Sequence, residues 1–209
     1  MEKVLVAGAH GTTGKKIISI LKESNTYEPI AMVRKKEQVQ EFENNNVKTL
    51  LADLEQDVNE APKGMDKVIF AAGSGGKNVY DVDQEGAKKL IDASKKENVK
   101  KFVMLSSMGA DSPEVAIDLK DYLKAKHNAD EHLKKAEMPL FSIIRPGALT
   151  NNDGNGKIQL ENKLNKRGEI PRQDVAETLV ASLDDSVAKN KTFEILEGDT
   201  QIKTALEKL

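Results

Sequence analysis

Val4-Leu5-Val6-Ala7-Gly8-Ala9-His10-Gly11-Thr12-Thr13-Gly14 comes almost at the start of the chain, and its reading decides the fold. A short apolar run fit for a strand buried on both faces ends in three regularly spaced glycines. Lys15–Leu21 follows, with its apolar residues on one helical face. Gly8 permits a tight turn, Gly11 lets backbone N–H groups approach a pyrophosphate, and Gly14 lets helix and strand pack closely. A helix opening at Thr12-Thr13 points its N-terminal amides and the positive end of its dipole at that phosphate. A merely tight strand-to-helix turn does not need three glycines at this spacing, so the stretch implies dinucleotide binding. His10, inside the turn, is expected against the cofactor's edge or in solvent.

Further apolar runs continue the pattern at Pro29–Val33, Val47–Leu51, Val68–Ala72, Phe102–Leu105 and Leu140–Ile144. Each is rich in Val, Ile, Leu or Phe, and charged, helix-periodic segments separate them. Buried parallel strands alternating with helices read this way. Val82, Ala87, Leu90, Ile91 and Ala93 mark one helix; Leu119, Leu123, Ala129, Leu133 and Ala136 mark another, stopped at Met138-Pro139. After Pro146 the pattern weakens. Asn151–Gly156 reads as a loop, either a flap over the site or a surface turn. A helix near Gln173-Asp174, a strand at Phe193–Leu196 and a short C-terminal helix complete the chain. The expected fold is a Rossmann-type, doubly wound, mostly parallel sheet of about seven strands, ordered 3-2-1-4-5-6 plus one more. It is expected as one NAD(P)-binding domain over 1–209, with 147–209 as a small C-terminal cap.

Composition removes several other functions. With 209 residues, one core is the default. A net charge of −2 argues against a broad phosphate-tracking surface, and 4% aromatics with no Trp argues against stacking on single-stranded nucleic acid. No cysteine is present, and the three histidines have no metal-ligand spacing, so no metal site is expected. The first residues lack the pattern of a signal peptide and no apolar stretch could span a membrane, so a cytoplasmic location is expected.

About twenty residues beyond the glycine turn, an NAD site usually places an acid for the ribose 2′-hydroxyl. Here the second strand ends in Arg34-Lys35-Lys36. A guanidinium suits a 2′-phosphate far better than a hydroxyl, so NADP is favoured over NAD. Asp53 and Leu54, after the third strand, and Ala71-Ala72-Gly73, after the fourth, fall on the sheet edge where the adenosine would lie. Asp53 reads equally well as the N-cap of a following helix.

Gly8–Gly14, Arg34, Asp53, Ala71–Gly73, Val82–Gly86, Phe102–Ser107 and Ile144-Arg145-Pro146-Gly147 occur in order. Together with Arg172–Ala176 they resemble the atypical short-chain dehydrogenase/reductase superfamily, in its small NAD(P)-binding branch. That branch holds NmrA-like redox sensors, flavin or biliverdin reductase-like proteins, and NAD-dependent epimerase/dehydratases. The resemblance implies chemistry by a Ser after the fifth strand and a Tyr-x-x-x-Lys on the next helix. Tyr122 and Lys126 supply that spacing and share a helical face. Tyr122 would pass the proton; Lys126 would lower the phenol's pKa and hold the ribose. Ser107 is the better candidate for orienting the substrate oxygen, and Ser106 is placed with the cofactor. The family's serine could instead align with Met108, which has no hydroxyl. Pro146-Gly147 would pass beside the nicotinamide carboxamide.

Two functions remain open on these grounds. One is an NADP-dependent oxidoreductase, or a related epimerase/dehydratase, acting on a small carbonyl, sugar-like or flavin-like substrate. The other is a non-catalytic NADP(H) sensor with a protein partner. Neither nucleic acid nor membrane is an expected partner.

Overall fold

The computed structural model describes every residue except Ile117. β1 (Glu2–Ala7) turns into α1 (Thr12–Lys22), then β2 (Tyr27–Val33), α2 (Lys36–Glu43), β3 (Lys48–Leu51) and β4 (Lys67–Phe70). A π-helical segment, Val79–Gly86, leads into α3 (Ala87–Lys96) and β5 (Lys101–Leu105). A short 3-10 turn, Pro113–Val115, precedes α4 (Lys120–Lys135), and β6 (Leu140–Pro146) follows. The remainder forms β7 (Ala148–Thr150), β8 (Lys157–Glu161), β9 (Glu169–Pro171), α5 (Arg172–Ala181), β10 (Lys191–Glu197), β11 (Thr200–Gln201) and α6 (Ile202–Leu206).

The main sheet runs β11-β8-β10-β6-β5-β4-β1-β2-β3, with all pairs parallel from β10 to β3. Its order reverses between β1 and β4, the crevice where open α/β sheets take their ligands. The strand order 3-2-1-4-5-6 is as expected. The sheet has nine strands rather than about seven. β8 and β11 are the additions, antiparallel to their neighbours. Only Ile158 of β8 is fully buried, so its polar sequence gives no apolar run to detect. Residues 147–209 therefore build part of the sheet as well as covering it. β10 extends the parallel ladder from β6, and β7 pairs with β9 in a separate two-stranded sheet.

Apolar residues fill both faces. Ile17, Ile18 and Leu21 of α1 share one layer with Val175, Ala176 and Leu179 of α5. Leu90 and Ile91 of α3 share the other with Ala129 and Leu133 of α4. β4 and β5 each begin one residue before their apolar runs, at lysines buried inside the sheet. Lys67 Nζ meets Glu2, Asp185 and the Leu183 carbonyl at 2.9, 2.8 and 2.8 Å. Lys101 Nζ donates to the Asp184 and Val187 carbonyls at 2.7 and 2.9 Å, and burial pulls its pKa down to about 8.

Candidate dinucleotide-binding and active site

The glycine turn is fixed by its own backbone. Gly8 has φ of +85°, and a Cβ there would lie 2.6 Å from Ala72 Cα, so only glycine fits between β1 and the end of β4. A Cβ on Gly14 would run into the Gly8 carbonyl, which shows how tightly helix and strand pack. Gly11 differs. Its Cβ would meet only the Gly8 oxygen, at 3.2 Å, and its free face lines a cavity. Gly11 is the N-cap of α1, has no side chain to cap the helix, and no acid stands in the first turn. The opening amides, at exposed Thr12, buried Thr13 and Gly14, therefore have no side-chain acceptor among the described residues. A pyrophosphate supplies what they lack.

The cavity beside this turn has a volume of about 490 Å³. Gly8, His10, Gly11, Arg34, Asp53, Leu54, Ala71, Ala72 and Gly73 are among the residues that line it. Residues far apart in sequence are thus brought together where an adenosine diphosphate would lie. Arg34 is exposed at the end of β2 and forms no ion pair among the described residues. Gln38 Oε1 accepts from the N–H groups of Arg34 and Lys35, both at 3.2 Å, fixing the turn that presents the guanidinium. Asp53 caps a turn rather than a helix: its Oδ1 accepts from Glu55 N–H at 3.0 Å, and residues 54–66 form no helix. His10 donates from Nε2 to Glu41 at 3.0 Å while lining the cavity. Lys15 also bonds Glu41, at 2.5 Å; that bond first, then the two nearby charges, holds the Glu41 pKa below its usual range. Sequence reasoning missed Gln38, Ser74, Lys77 and Asn78 on the cavity wall. The doublet Gly75-Gly76, with both φ values positive, was the available sign of a loop there.

The reacting half is arranged differently, and none of its expected residues lines the cavity. Lys126 is 3% exposed, behind Ala72, and is not among the residues that line the cavity. Its Nζ stands 3.2 Å from Asp83 Oδ1, 3.4 Å from the Leu105 carbonyl and 3.5 Å from the Ala72 carbonyl. It also lies 5.6 Å from the ring centroid of half-buried Tyr122. Burial works to lower the lysine's pKa, but Tyr122, Asp83 and Asp130 outweigh it and hold the ammonium above its usual range.

Ser106 likewise points inward. Its N–H continues the β5–β6 ladder to the Ile144 carbonyl at 2.8 Å, while its hydroxyl donates to Asp130 at 2.8 Å in the core. Ser107 is half-buried and donates to the Met108 carbonyl at 3.3 Å. Pro146 is buried and accepts from Met108 N–H at 3.0 Å. Gly147 is explained by packing, because a Cβ would strike the Gly168 carbonyl and the Leu196 side chain. Beneath them fully buried Asp130 accepts from Arg145 Nε at 2.9 Å, and Arg145 Nη2 lies 2.9 Å from the same carboxylate oxygen. Burial raises the Asp130 pKa against the pull of Arg145 and Ser106. The spacing of four between Tyr122, Lys126 and Asp130 was the available signal for this acid. The loop Asn151–Gly156 is fastened to the fold by buried Asp174, which accepts from the N–H groups of Asn155 and Gly156 at 3.3 and 2.9 Å.

A doubly wound sheet, an uncapped helix start at its glycine turn, and a cavity at the reversal of strand order define a Rossmann-type dinucleotide-binding protein. The chain belongs to the NAD(P)H-binding family, which it matches over residues 8–186. It is 40% identical to Bacillus subtilis YhfK, described as an uncharacterized sugar epimerase, over 99% of this chain and 100% of that one. A solved Bacillus halodurans protein named for the NAD-dependent epimerases/dehydratases is 36% identical, with a TM-score of 0.93 and full coverage of both chains. The Lactococcus lactis oxidoreductase YlbE is 35% identical, with a TM-score of 0.88, covering 99% of this chain and 96% of that one.

Proposed function

We propose that this protein is an NADP(H)-dependent reductase of a small carbonyl, sugar-like or flavin-like acceptor. The observation that carries the cofactor choice is Arg34. Its guanidinium lines the cavity without an acidic partner among the described residues, at the end of the strand where an NAD site presents a carboxylate. A 2′-phosphate would give it a bidentate, doubly charged partner. When bound, NADPH supplies the hydride; Tyr122, over the buried Lys126 ammonium, holds the proton for the acceptor's oxygen.

Reduction is favoured over epimerisation of a large sugar nucleotide by where residues 147–209 go. Three of their strands complete the main sheet and α5 shares the α1 layer. The small β7–β9 pair and its adjoining loops are left beside the reacting end, which suits a compact acceptor. The relatives named for an activity carry enzyme names, and none of the three is named as a sensor. The test is NADPH consumption by the purified protein with a panel of quinones, flavins, aldehydes and ketones. Saturable turnover with at least one class supports the reading. Tight NADPH binding with no turnover across the panel goes against it.

A further inference from the structure

We propose that Asp83 is the positioning residue that couples the two halves of the site, one carboxylate oxygen holding the loop over the dinucleotide cavity and the other holding Lys126 beneath Tyr122. This inference rests on the reading of the cavity as the NADP(H) site and of Tyr122–Lys126 as the reacting pair. Asp83 is fully buried in the π-helical segment Val79–Gly86. Such widened turns are rare and recur at functional sites. Its Oδ2 accepts from Ser74 N–H at 3.0 Å, and Ser74 is a cavity-lining residue of the loop that carries Lys77 and Asn78. Its Oδ1 faces Lys126 Nζ at 3.2 Å. Among the described residues Lys126 forms no other ion pair. Ala72 and Leu105 offer Lys126 only neutral carbonyls, and Phe70 only a ring face at 5.9 Å. The π-helical segment is itself clamped to α4, where Asn128 donates to Gln84 at 2.5 Å. A shift of the cavity loop therefore moves the carboxylate that orients the ammonium, and the reverse.

The two roles separate by substitution. Asparagine keeps an acceptor for Ser74 N–H but loses the charge; alanine loses both. To leave no unpaired buried charge, each is combined with Lys126→Met. Asp83→Ala/Lys126→Met should bind NADPH at least about fivefold more weakly than Asp83→Asn/Lys126→Met, the worth of one backbone hydrogen bond. The second readout is the Cε resonance of isotope-labelled Lys126, assigned by its loss in Lys126→Met. Among the groups facing the ammonium, Asp83 comes from the π-helical segment and Tyr122 and Asp130 from α4. With Asp83→Asn the first is removed, less opposes the effect of burial, and Lys126 should lose its proton at least about one pH unit below the wild-type value. Equal NADPH affinities in the two double variants, or an unmoved Lys126 titration, overturns the proposal. If the wild type binds no NADPH, the functional reading falls instead, and the Lys126 resonance alone decides the role of Asp83.

Discussion

The dinucleotide half and the reacting half sit side by side at the ends of the same strands, yet they are built by opposite means. In the first, the functional groups are backbone amides and side chains left without partners: the start of α1, and Arg34. In the second, the buried side chains are engaged by other protein groups, Lys126 by Asp83, and Ser106 and Arg145 by Asp130. Unsatisfied groups at a rigid turn signal a ligand that completes them. Buried groups already paired within the protein set the shape and charge of a wall. One half recognises; the other supports.

That contrast is most easily broken in the buried half. Arg145→Met leaves Asp130 in the core without its cation, which should cost about 3–5 kcal/mol of stability in urea or thermal unfolding. NADPH affinity of the folded protein should stay within about threefold, since the pair touches no cavity wall, and the reverse outcome would erase the distinction. Gly11→Val does the opposite. The new side chain fills the cavity face and meets the fold only at the Gly8 carbonyl, so NADPH binding should fall by about a hundredfold or more. Its unfolding midpoint should move little, and a collapse of stability would place Gly11 in the supporting half. Tyr122→Phe sharpens the division further: turnover should drop by about a hundredfold while NADPH binding holds, because a positioned acid contributes to the chemical step.

Lys101, at the far end of the sheet, serves as a reference outside both halves. Its pKa is lowered to about 8 in the fold, against about 10.4 in an unfolded chain. Between those values the unfolded state binds the extra proton, so this residue's contribution to stability rises with pH; below about 8 the full cost of a buried charge remains. Relative to Lys101→Met, the wild type should gain about 1.5–2 kcal/mol from pH 8 to 9.5, without any change in NADPH affinity. A flat difference across that range would show that the amine is not desolvated.

The same contrast explains what could be read from the sequence. Gly8, Gly11 and Gly14 act through backbone conformation, and the residue type reports that directly. Arg34, Asp53 and Ala71–Gly73 follow because strand ends in this topology converge on one edge. Lys126 was legible as a helix partner of Tyr122, but its burial against Asp83 depends on the π-helical segment, which has no local sequence signature. Ser106 and Ser107 differ only in which way the end of β5 turns each side chain, and only the fold distinguishes them. β8 and β11 were missed because short strands with so many polar residues show too few apolar ones to form a pattern.

In the proposed NADP(H) site, the cavity beside β2 receives a 2′-phosphate on Arg34. Titrating the wild type and Arg34→Asp with NADPH and NADH tests it most directly. The wild type should bind NADPH about tenfold or more tightly than NADH, as a charge-assisted contact of about 1.5–3 kcal/mol requires. In Arg34→Asp the preference should vanish, with NADPH weakened and NADH held or improved. Equal affinity of the wild type for the two cofactors, or a preference that survives Arg34→Asp, would contradict it.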